Sequence, residues 1–128
     1  KAAGIEFQRR LAEAIAKGEN IIIDRTNLTK SVRQPILDSA VGYDKTCVDF
    51  KISLQKAMER NEKRSVSGKI IPPEVMKDMA SKYEKPSFEE GFSKIITVDA
   101  DNNNHQTVKN APKNLPDYAL LRRLGIER

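Results

Sequence analysis

A chain of 128 residues suits one compact domain with a single core. Its hydrophobic share of 38% is low and its charged share of 32% is high, so part of the polarity belongs in tails or loops. The net charge of +5 suits an anionic partner, although an ordinary soluble basic protein carries the same charge. One cysteine excludes an intrachain disulfide, and no apolar run of ~18 residues offers a membrane span.

The chain opens on Lys1, not methionine, and passes directly into AAGIEFQRRLAEAIAKG, an opening that implies residues upstream. Ile5, Phe7, Leu11, Ala14 and Ile15 largely recur at helical spacing, which predicts a helix over 2–17 stopped by Gly18. Ile21, Ile22 and Ile23 predict a buried strand over 20–24 that ends on Asp24. Thr29 or Ser31 can cap a helix over 30–41, and Pro35 places its first turn close by. KTCVDFKI predicts a strand over 45–52, in which Cys47 reads as a small core residue. Ser53 caps a helix over 53–64, and VSGKIIPP then breaks the pattern with Gly68 and paired prolines.

Pro73 suits the first turn of a helix over 73–83. Ser87 followed three residues later by Glu90 fits a capping box ahead of a strand over 94–99. Beyond Asp99, ADNNNHQTVKNAPKN has no apolar period and reads as a loop or disordered segment. LPDYALLRRLGIER then allows a short amphipathic helix. Strands alternating with helices predict an α/β fold, a parallel sheet flanked by helices, over residues 1–100. Residues 101–128 form a polar linker and a C-terminal helix. Three strands make a thin sheet, as a part of a larger unit would.

Asp24 ends a predicted parallel strand, where phosphoryl-transfer proteins place an acid that orients Mg²⁺ or its waters. It equally suits a residue that caps the turn into the next helix. Arg60 and Arg64 lie four apart on one helix face with Lys63 beside them. Two guanidiniums on one face can fork onto phosphate oxygens. Basic residues at a helix C-terminus also simply complement its dipole. His105, the only histidine, lies in the polar segment, and GxxxxGK[ST] occurs nowhere in the chain.

Three blocks nevertheless form a pattern: EAIAKGENIIIDRTNLTKSVRQPIL, MERNEKR, and IPPEVMKDMASKYEKPSFEEGFSKIITVD. Their Asp-x-Thr-Asn, Arg-Asn-x-x-Arg and Pro-x-x-x-Glu-Gly-Phe motifs resemble, in order and spacing, the second half of the P-loop kinases related to polynucleotide 5′-hydroxyl kinase. The resemblance covers residues 5–99 and implies a P-loop NTPase-like fold whose P-loop strand and helix precede Lys1. It implies ATP and Mg²⁺ as cofactors, and a nucleotide and a nucleic-acid 5′ end as partners, in the cytoplasm. Arg64 resembles the lid arginine that neutralises the transferring phosphoryl group, and Arg60 and Lys63 are its neighbours. Thr26 and Asn27 match the Thr-Asn pair, and Asp24 matches the acid, which the resemblance makes a catalytic residue beside Arg64 and a contact to Mg²⁺ through water. In the bacteriophage branch the acid directly precedes the threonine, where this chain has Arg25.

The acceptor side is less defined by these motifs, so a small-molecule kinase of the same family is an alternative. A non-catalytic module that grips nucleic-acid phosphates through Lys63, Arg64, Lys69 and tail lysines is another. Residues 65–72 are expected to form a lid that orders on nucleotide binding, with Ile70 and Ile71 docking on its base.

Overall fold

The computed structural model describes residues 2–64, 70–116 and 118–125. The first helix, α1 (Ala2–Lys17), ends where the sequence predicts. Gly18 adopts φ +68°, a left-handed conformation open to glycine. Its N–H donates to the Ile15 carbonyl at 3.1 Å, and that of Glu19 donates to Ala14 at 3.0 Å. These two bonds form a Schellman closure of the last turn. Leu11 is the buried residue of α1. The Tyr43 hydroxyl donates to the Glu19 carbonyl at 2.9 Å and ties the end of this helix to the chain ahead of the sheet.

Thr29, not Ser31, caps α2 (Lys30–Ser39), its Oγ1 accepting the Val32 N–H at 3.2 Å. A second orphan donor, the Lys30 N–H, is satisfied at 3.1 Å by the carboxylate of Glu84. Pro35 lies inside the second turn of α2, further in than its residue type suggests.

Strands β1 (Thr46–Lys51) and β2 (Lys94–Asp99) pair in parallel, from Thr46 opposite Lys94 to Lys51 opposite Asp99. Their crossover holds α3 (Leu54–Lys63), α4 (Pro73–Lys82) and a 3₁₀ turn, Phe88–Glu90. Ser53 caps α3, its hydroxyl accepting the Lys56 N–H at 3.2 Å. Pro73 opens α4 at its first position.

The structure corrects the sequence reading twice. Residues 20–24 carry no strand, and Ile22 is 96% exposed. Three isoleucines supply β-propensity, but a strand exists only by pairing, and none of the described strands pairs with them. The polar segment expected to be loop instead forms β3 (His105–Asn110), antiparallel to β2. Asn103 and Asn104 make its turn at φ +51° and +57°, a conformation asparagine tolerates better than most residues. The sheet order is therefore β1-β2-β3, and the sheet is mixed, not parallel. A short C-terminal helix, α5 (Tyr118–Arg123), follows.

The core is small: Leu37 from α2, Phe92 and Ile95, with Cys47 and Phe88 packed against them. Cys47 and Ile95 are register partners, so one sheet face turns to the core. The alternate residues Val48 and Phe50 face the other way, and Phe50 is 68% exposed. None of the described helices is long and apolar enough to cross a membrane.

Candidate functional site

Two stretches carry the residues that the sequence singles out. The first joins α1 to α2. Asp24 and Thr26 are exposed there. The Arg25 guanidinium lies 4.3 Å from the ring centre of Phe7, a cation–π contact that turns it back onto α1. Asn27 is partly buried at φ +42°, and its side-chain Oδ1 is buried without a hydrogen-bond partner. Its backbone carbonyl is held, accepting from Arg33 Nη1 at 2.8 Å.

Arg33 is the hub of this stretch. Nε donates to Glu90 Oε1 at 2.7 Å and Nη2 to Glu90 Oε2 at 3.1 Å, a bidentate fork. Both residues are buried, Arg33 at 6% and Glu90 at 7% exposure. Glu90 Oε2 also accepts the Ser87 N–H at 2.9 Å, the capping-box bond that the Ser87–Glu90 spacing predicts. One carboxylate therefore caps a turn and neutralises a buried guanidinium. Sequence reasoning found the first role and missed the second, because the partner lies 57 residues away.

The second stretch is the end of α3. Arg60, Lys63 and Arg64 are exposed, as the helical spacing implies. Arg64 is the C-cap, its backbone N–H donating to the carbonyls of Asn61 and Glu62. Between the arginines, Asn61 is buried at 6% exposure. Its Nδ2 donates to the Ile71 carbonyl at 2.6 Å, and its Oδ1 accepts the Ile71 N–H at 2.9 Å. An asparagine inside a helix is a weak helix former, which was the available signal that its side chain serves elsewhere. Of the expected lid, residues 65–69, Lys69 among them, lie outside the described residues. Ile70 is half-exposed, and Ile71 is partly buried in the grip of Asn61. Asp24, Arg60 and Lys63 form no ion pair with one another.

Other titratable groups lack the marks of catalysis. Burial pushes the Cys47 thiol up to about 11, and the nearby Asp49 carboxylate pushes the same way. It is protonated at neutral pH and is a poor nucleophile. Burial, and then a 2.7 Å hydrogen bond to Asp49 Oδ2, hold the Tyr83 phenol well above its ordinary range. His105 is an exposed residue of β3. Among the described residues, no three histidine, cysteine or acidic side chains cluster as a metal cage. Mg²⁺ needs no such cage, since one carboxylate with substrate phosphates and water suffices. The exposed Asp24 carboxylate fits that mode.

Compared with known families, residues 4–86 match the sequence model of a family described as an AAA domain. The match takes in both stretches and Arg33, and it ends before Glu90.

Proposed function

This chain belongs to the AAA domain family, P-loop NTPase-like kinases, and from that premise we propose that it works in an ATP-dependent phosphotransferase acting on a nucleic-acid 5′-hydroxyl. The observation that carries this reading is the end of α3, where buried Asn61 is anchored while Arg60 and Arg64 stand exposed on either side of it. Such a helix end can meet phosphate oxygens without moving its own anchor. Arg64 takes the lid role, neutralising charge as the phosphoryl group transfers, and Arg60 and Lys63 bind donor phosphates. Thr26 and Asn27 line the donor side, and the Asp24 carboxylate would hold Mg²⁺ through water. When bound with ATP, Mg²⁺ neutralises charge on the donor phosphates.

These 128 residues contain no GxxxxGK[ST] phosphate loop. Among the described strands β1 is paired with β2 alone, and its outward-facing Val48 and Phe50 are exposed. The net charge of +5 favours a polyanionic acceptor over a neutral small molecule. The test supplies the complete protein with γ-labelled Mg·ATP and, separately, a 5′-hydroxyl oligonucleotide and a nucleoside. Label on the oligonucleotide is the expected result. Label on the nucleoside alone assigns a small-molecule kinase, and label on neither with retained oligonucleotide binding assigns a binding module.

A further inference from the structure

The two motifs at the ends of the family-like region, Thr26–Asn27 and Glu90-Gly91-Phe92, are physically one unit. Their link is Arg33. Its guanidinium has three nitrogens, and each is committed: Nε and Nη2 to the Glu90 carboxylate, Nη1 to the Asn27 carbonyl. We infer that Arg33 and Glu90 are a positioning pair that fixes the Thr26–Asn27 backbone for the donor nucleotide, an inference that rests on the phosphotransferase reading.

The geometry favours positioning over mere packing. A buried guanidinium needs acceptors beyond its counter-ion, and here the nitrogen outside the Glu90 fork takes the Asn27 backbone carbonyl, so the pair is tied to that backbone. That carbonyl belongs to Asn27 at φ +42°, a left-handed conformation that asparagine reaches more readily than most residues and that the Arg33 bond helps to hold. The same residue keeps a buried side-chain oxygen without a partner. A residue held by its backbone, with an unspent polar group, is pre-formed for a contact not made among the described residues. Glu90 is in turn fixed from behind: the Ser87 N–H holds its Oε2, and Arg122 Nη2 donates to its backbone carbonyl at 2.7 Å. The hold therefore runs from the 3₁₀ turn through the pinned side chains of Glu90 and Arg33 to the Asn27 backbone.

Two variants of the complete protein separate positioning from packing. Arg33→Lys keeps the charge but cannot fork to both Glu90 and Asn27. Arg33→Met with Glu90→Gln removes both charges, so no lone ion stays buried, and leaves an acceptor for the Ser87 N–H. The readouts are the Asn27 carbonyl and Cα ¹³C shifts, the melting temperature, and the KM and kcat for Mg·ATP. The expected result is Asn27 shifts moved towards unfolded values in both variants and a double variant that melts near the parent. KM for Mg·ATP should rise about 10–100-fold in both. Parent-like Asn27 shifts, or parental KM with altered shifts, would overturn the inference and leave the pair a packing device. If the parent itself never turns over Mg·ATP while the shifts move in the variants, the phosphotransferase reading fails and the backbone clamp stands.

Discussion

Glu90 makes the value of a single residue measurable. Its carboxylate is at 7% exposure and its counter-ion, Arg33, at 6%, so removing one charge strands the other in a poorly solvated place. Glu90→Gln alone should lower unfolding free energy by about 3–5 kcal/mol, read from urea denaturation. Adding Arg33→Met should recover most of that loss. Equal stability of the single and double variants would mean that water reaches the guanidinium. Cys47 gives a second residue-scale prediction. Its folded pKa, about 11, lies above its ordinary value near 9, so the unfolded chain loses that proton first. The contribution is fully present below about pH 9 and fades as pH climbs through about 11. Cys47→Ala should flatten this alkaline decline in melting temperature, leaving a remainder that starts higher and that Tyr83→Phe reduces. At this scale the sequence revealed what spacing encodes. Ser87 and Glu90 sit three apart and make the capping-box bond that spacing predicts, while Arg60 and Arg64, four apart, are both exposed. Arg33 and Glu90 sit 57 apart, and no local pattern joins them.

Helices announced themselves through punctuation. Thr29, Ser53 and Gly18 act at helix ends as their chemistry dictates, because capping is settled within four residues. Thr29→Ala and Ser53→Ala should each cost about 1 kcal/mol in thermal denaturation, with no change in fold by circular dichroism. Asn61→Ala strips partners from both the N–H and the carbonyl of Ile71, so it should cost more, about 1–3 kcal/mol. Asn61→Asp keeps the acceptor but sets a buried carboxylate against the Ile71 carbonyl, so it should cost at least as much. Strands were less legible, because a strand is a relation between segments. TCVDFK and KIITVD were found through their β-branched residues, and they pair. NIIID has stronger propensity than either and is not a strand. HQTVKN, exposed along its whole length, is one, since an edge strand over a polar surface needs no apolar alternation.

For the whole molecule, the main question is what the small core holds together. Arg122 fastens α5 across it: Nη2 reaches Asp38 Oδ1 at 2.9 Å and the Glu90 carbonyl at 2.7 Å, and Nη1 reaches the Glu89 carbonyl at 3.1 Å. The Asp38 pair is partly solvated, so its own worth is about 1 kcal/mol or less, and the carbonyl bonds add to it. Arg122→Ala should therefore release α5 to limited proteolysis while the β1–β2 pair stays protected. The family match to residues 4–86 supports a P-loop nucleotide-binding, kinase-type function, and the proposed phosphotransferase puts Arg64 at the transferring phosphoryl group. Arg64 tests that account most directly, since at an exposed helix end its structural worth is under about 1 kcal/mol. The decisive measurement is the single-turnover rate of phosphoryl transfer from Mg·ATP to a 5′-hydroxyl oligonucleotide, comparing the complete protein with its Arg64→Ala variant. The account predicts a loss of about 10³–10⁵ in rate at an almost unchanged melting temperature. Equal rates would contradict it and return Arg64 to an ordinary charge at a helix end.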